Sequence, residues 1–268
     1  MIEKRTFVLI RVNGFDETTS PRTAMMMPLS TIPLLFAAQI GFLALAAMRA
    51  RTAKAFAAAT IIAVVLLAWG FASAAIALGG VYDSGGFLRL LPGLWLPAVP
   101  FVVVLTTFVL PVVRTGLSDM LQAVPADWFV GIQALRIAAL GTLIKTIQGD
   151  FPLEVELAIG LTDLAFGLSA VWMFVLARCG SVSADALAIW HLVGVLIILM
   201  PGELVLQTGL PGPLRVFTEY PTSEVMLDWP MALAPSLVVP CFLLLNIFGA
   251  VAAFRSHGLS NPGKDTLS

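Results

Sequence analysis

Residues 55–78 read AFAAATIIAVVLLAWGFASAAIAL, twenty-four positions without a charge. A helix needs only about 20 apolar residues to cross a bilayer, whereas the strands of a membrane barrel alternate and stop after roughly ten. Lipid offers the backbone no hydrogen-bond partners, so a continuous run of this length specifies a helix that satisfies its own amides. Working outward, comparable runs occupy Leu29 to Met48, Gly93 to Val113, Trp128 to Ile147, Val155 to Ala177, Ala184 to Met200 and Trp229 to Phe254. Hydrophobic residues make up 59% of the 268 positions against 12% charged, and mean hydropathy is +0.97. Water is therefore not the main solvent of this chain. The expected fold class is all-α, a polytopic transmembrane helical bundle of about seven spans. Residues 29–254 form the single transmembrane domain, between an N-terminal tail at 1–28 and a polar tail at 255–268.

Short-loop Lys and Arg set the expected orientation, because they are retained on the cytoplasmic side. One set of alternate segments carries Arg49, Arg51, Lys54, Arg114, Arg178, Arg255 and Lys264, and the opposite set only Arg89, Lys145 and Arg215. The first set is expected to be cytoplasmic, with the N-terminus outside and the C-terminus inside a bacterial inner membrane. The acid-rich segments at Asp150, Glu154 and Glu156 and at Glu219, Glu224 and Asp228 then face outward. Lys4, Arg5, Arg11 and Arg22 oppose this topology, which makes Met25, Met26 or Met27 an alternative start. Cleavage of a signal peptide near Ala44-Leu45-Ala46 is the competing reading, and it would leave Arg49, Arg51 and Lys54 outside.

A net charge of −1 offers no basic excess for phosphate, so nucleic acid is not an expected partner. Membrane lipid is, together with a membrane-protein partner or a second copy of the chain. No cofactor or metal is expected. Cys179 and Cys241 cannot assemble a thiolate site, and His191 and His257 are too differently placed to hold a haem between helices. No H-E-x-x-H, G-x-S-x-G, S-x-x-K or phosphate-binding Gly-Lys loop occurs, and the last span has no lysine for a retinal Schiff base. Trp95, Trp128, Trp172 and Trp229 sit near span ends, where indole rings prefer the headgroup level. Pro97, Pro100 and Pro111 punctuate the third span and Pro230, Pro235 and Pro240 the seventh, so both are expected to kink. Pro201-Gly202-Glu203 and Leu210-Pro211-Gly212-Pro213 are expected to break helix within a long connector from Leu199 to Asp228.

Ionisable and amide side chains are expensive in a bilayer core, on the order of 2.5–3.5 kcal/mol for a charge, so each needs a partner or a purpose. Gln133 and Arg136 in the fourth span, Asp163 in the fifth and His191 in the sixth are the candidates. Gln148-Gly149-Asp150-Phe151-Pro152 fits a tight turn, making the fourth and fifth spans an antiparallel hairpin. Arg136 and Asp163 lie at nearly equal distances from that turn, within about 3 Å in depth, so an ion pair is geometrically open to them. Gly160, Gly167 and Ala170 share a helical face with Asp163, which lets a neighbouring backbone come close.

The pattern Val124-Pro125-x-x-Trp128, Gln133-x-x-Arg136, Gly149-x-Phe151-Pro152 and Gly160-x-x-Asp163-x-x-x-Gly167-x-x-Ala170 resembles one found in uncharacterised bacterial integral membrane proteins. The resemblance covers the fourth and fifth spans and implies a shared hairpin without an activity. Three functions follow from the residues. A small-molecule or proton-coupled permease would use the cluster as its midplane site. A membrane-complex subunit or assembly factor would use it as a helix clasp. A lipid-modifying enzyme would need more catalytic types nearer the headgroups.

Overall fold

The computed structural model describes residues 30–82, 84, 85 and 95–260, and among these there is helix and turn but no strand. The tail at 1–28 and the last eight residues lie outside the described residues; the described chain from Thr31 onward forms one unit. Helix α1 (Ile32–Ala50) turns into α2 (Ala53–Leu78) through Arg51, whose φ of 57° places it in the left-handed region. Thr52 caps α2, its hydroxyl accepting from Ala55 N and donating to the Asp119 carboxylate at 2.7 Å. Helices α5 (Ala126–Gln148), α6 (Leu153–Arg178), α7 (Ala184–Gly209) and α8 (Ala234–Arg255) follow the bent pair α3 (Trp95–Thr107) and α4 (Pro111–Ala123). Gly149 (φ 82°) and Gly180 (φ 69°) end α5 and α6. The following amides, Asp150 and Ser181, bond back to Lys145 O and Leu176 O, which closes both turns tightly.

Six of these helices are long and apolar enough to cross a membrane, and the bent pair makes a seventh if counted as one span. Their outer surfaces carry Phe71, Ile147, Trp172, Met200 and Leu204, all exposed, as expected of helices whose solvent is lipid.

Three expectations are corrected. The third span does not run unbroken to Val113: the chain turns by 104° between α3 and α4. Thr106 and Thr107 bond back to Val103 O and Val104 O, and Pro111 has no amide with which to continue the ladder, so it starts a new helix after an extended Leu110. Helix α4 buries Val113, Gly116, Met120 and Leu121 and turns Arg114, Thr115 and Gln122 outward. It lies against α1 and α2, so close that a Cβ on Gly116 would overlap the Lys54 carbonyl.

The sixth span does not stop at Met200, and Pro201-Gly202-Glu203 does not break it. The helix runs on to Gly209 because Val205 and Leu206 are buried beside Phe151 and Val155, and neighbouring helices commonly compensate a proline in such a place. The connector shrinks to 210–233, held by Arg215–Glu224 at 2.7 Å and by Leu210, Met226 and Leu227 in the core. Glu156, in the acid-rich segment after the Gly149 turn, points into the protein. It is 1% exposed, turned inside the bundle. The helix expected to open at Trp229 begins at Ala234 with a π-helical stretch.

Candidate functional site

Two interruptions of α-helical geometry place the central side chains. In α5 the stretch Ala134–Ala139 is a 3-10 helix that contains Arg136, and in α6 the π-helical Glu156–Gly160 precedes Asp163. Between them Gly167 brings the helices into contact: a Cβ there would come 2.7 Å from Ile137 N. At this closeness Arg136 Nε donates to Asp163 Oδ1 at 2.7 Å and Nη2 approaches the same oxygen at 2.5 Å. The arginine side chain is wholly buried and that of the aspartate 13% exposed. Counting residues along α5, the pair lies roughly 15 Å from one end and 18 Å from the other.

The rest of the guanidinium is also engaged. Nη1 donates to Gly194 O on α7 at 3.4 Å. The Phe166 ring lies 4.7 Å from the guanidinium carbon and that of Phe242 on α8 5.9 Å away, distances at which the ring quadrupole attracts a cation. Phe166 in turn stacks on Trp190 at 4.3 Å, and Trp190 Nε1 donates to Ser169 Oγ. Gly194 permits this layering, since a Cβ on it would overlap the Phe166 ring.

Gln133 and His191 are buried beside this pair but bonded elsewhere. Gln133 Nε2 donates to Phe242 O at 3.4 Å. His191 Nδ1 lies 2.8 Å from Asn246 Oδ1, its ring edge-on to Trp190 and its far side against Gly249. The four sequence candidates therefore divide into an ion pair and two separate links to α8. Phe242 and Asn246, one helical turn apart, receive both links and were missed. Asn246, an amide inside CFLLLNIFG, carried the same signal of insertion cost as the others.

Two further features lie outside this cluster. Ser236 on α8 joins Ser73 Oγ at 2.7 Å, Ser73 joins the Tyr82 hydroxyl at 2.8 Å, and Trp69 Nε1 donates to Ser236 O. Burial pushes the Tyr82 phenol above the usual tyrosine value, against the lowering effect of those two serines. An apolar cavity of about 70 Å³ lies among α1, α2, α4, α5 and α8, lined by Phe36, Gln39, Phe42, Leu66, Met120 and Phe248 among others. None of the four cluster residues lines it. Among the described residues no group of three His, Cys, Asp or Glu side chains could hold a metal ion.

No curated protein and no solved structure matches the chain. Residues 93–254 match a family described as Domain of unknown function (DUF8737). The match takes in α3 to α8 and every residue of the cluster. Because it spans more than half of the sequence, the chain belongs to that family of unknown function.

Proposed function

We propose that this is a multi-pass protein of a bacterial inner membrane, N-terminus outside and C-terminus inside, acting as a small-molecule or proton-coupled permease centred on Arg136 and Asp163. Support for the orientation comes from the clustering of Arg49, Arg51, Lys54, Arg114, Arg178 and Arg255 at one end of the helices. There Arg178 meets Asp127 and Arg255 reaches Ser118 on α4. The observation that carries the permease reading is that the buried charges sit on or beside interrupted helix. A 3-10 stretch or π turn inside a long helix recurs at hinges and functional sites, and ionisable residues at mid-membrane depth recur on transport pathways.

A second reading, a subunit or assembly factor in which the pair is a fixed clasp, is favoured by the packing. Arg136 donates through Nε and Nη1, its Nη2 is ion-paired with Asp163, both adjoining rings pack on it, and the apolar cavity lies elsewhere. Thiol accessibility separates the two. In a Cys179→Ser, Cys241→Ser background, single cysteines replace Gln133 or Thr142; Gly160 is unsuitable because Glu156 fills the space beside it. Labelling by an impermeant reagent from one side of the membrane supports an aqueous path and transport. Correctly inserted protein that resists labelling from both sides supports the clasp.

A further inference from the structure

Glu156 opens the π-helical stretch of α6, three residues into the helix. Side chains on a helix ordinarily lean toward its N-terminus. This one leans the other way, deeper into the bundle, and its carboxylate lies over Gly160 so closely that a Cβ there would overlap it. The residue is 1% exposed, and neither oxygen meets a donor in hydrogen-bonding geometry. Thr142 on α5 faces it, but that hydroxyl donates to Ala139 O at 2.8 Å.

The charges around it offer no compensation. On its own helix Asp163 is within electrostatic reach, and Glu154, at the exposed end, accepts from Ser223. On α7, which packs on the stretch with Gly202 against Ile159, the ionisable residue next to that contact is Glu203, another carboxylate with a buried oxygen that has no donor, while His191 is bonded to Asn246 and Asp185 lies at the far end. On α5, Arg136 is committed to Asp163 and Gly194 O, and Lys145 is exposed. An ionised carboxylate only accepts hydrogen bonds, and the hydroxyl that faces it, that of Thr142, is given to Ala139 O; a carboxylic acid supplies its own donor. Burying the ion unpaired is strongly unfavourable, and burying the neutral acid costs far less.

We propose that Glu156 is a proton-binding site, a carboxylic acid held with its proton between α5, α6 and α7 at neutral pH. Glu156 lies two residues, about 3 Å along the helix axis, from Glu154 at the acidic end of the bundle. Its use in coupling rests on the permease reading; its existence rests on the geometry of Glu156 alone.

Infrared spectroscopy of the full chain in phosphatidylcholine vesicles near neutral pH tests it, because the carbonyl stretch of an un-ionised acid is separate from the carboxylate bands. Wild type is expected to show an acid band that Glu156→Gln removes, with sodium leaving it unchanged. Should Glu156→Gln not assemble, Glu156→Asp serves, since it shifts the same band. An acid region identical in wild type and variant overturns the proposal. So does a band that sodium abolishes, which would make this a metal-cation site. The thiol-labelling result is independent: an acid band together with unlabelled cysteines would sink the permease and leave the proton site standing.

Discussion

Removing one partner of the Arg136–Asp163 pair should harm the fold far more than removing both. Two nitrogens converge on one carboxylate oxygen at 2.5 and 2.7 Å with the guanidinium fully buried, and breaking such a pair typically costs about 3–5 kcal/mol. The two halves are not equivalent. In Arg136→Met the stranded carboxylate is 13% exposed and can be neutralised by taking up a proton, so the loss should fall at or below about 3 kcal/mol. In Asp163→Asn the guanidinium cannot lose its proton. It keeps Gly194 O, the faces of Phe166 and Phe242, each ring worth about 0.5–2 kcal/mol, and a neutral amide oxygen, but it loses its counter-charge, so that loss should approach about 5 kcal/mol. The double variant buries no net charge and should lie within about 2 kcal/mol of wild type. Thermal denaturation of purified protein in detergent, followed by the fraction remaining monodisperse, gives the order: wild type close to the double variant, then Arg136→Met, then Asp163→Asn. A double variant as damaged as the sum of the singles would refute the coupling. Asp163→Asn as stable as wild type would refute the burial argument altogether.

Gly167→Ala places a methyl 2.7 Å from Ile137 N and 3.0 Å from Arg136 C. Backbone cannot yield as a side-chain tip can, so α5 and α6 should separate at a cost of about 1–3 kcal/mol; in the Arg136→Met, Asp163→Asn background the same change should cost less, which a denaturation cycle measures. Tyr82 gives a pH dependence. Its folded value lies above the ordinary 10.0, so its contribution is complete below pH 10 and declines as pH rises through the higher folded value. Absorbance titration of the phenolate should show a step above that of free tyrosine, absent in Tyr82→Phe, and stability at alkaline pH should fall less in that variant.

Hydrophobic length made the helices legible, because a run such as Ala53–Leu78 has no alternative in lipid. Depth counting from the Gly149 turn was enough to set Arg136 opposite Asp163, since the turn is short and both helices are long. Where the reading failed, local chemistry was overruled by packing or by stereochemistry. Pro201 was read as a breaker, yet Val205 and Leu206 beyond it have a core to fill, and the helix continues. Pro111 was read as a kink inside one span, yet its missing amide and the threonines before it separate two helices. Glu156 was read only as part of an acid-rich segment, with nothing to mark it as buried. A single extra residue in the π stretch changes the face that such a residue presents, and no periodicity count anticipates it.

Helix α8 shows why a search by charge stops short. Its sequence offers only Ser236 and Asn246 as polar groups before Arg255, yet its central window is 67% buried against 17–33% in the other five long helices. The bundle is organised around it through main-chain carbonyls. Ser236 O accepts from Trp69, Val238 O from Gln39 and Phe242 O from Gln133. Carbonyls in a regular helix are bonded along the axis; the π-helical opening at Ala234–Val238 and Pro240, which lacks an amide, give side-chain donors from α1 and α2 access to Val238 O and Ser236 O, while Phe242 O, in the regular helix, takes Gln133 of α5 as an additional donor. The polar lining of this helix is therefore written in backbone irregularity. Gly249 completes the arrangement by letting His191 lie against the backbone while Asn246, one turn earlier, takes its Nδ1. A substitution on α8 that restored regular helix, such as Pro240→Ala, would act on the donors of two neighbouring helices, Trp69 of α2 and Gln39 of α1, although it changes no charged group.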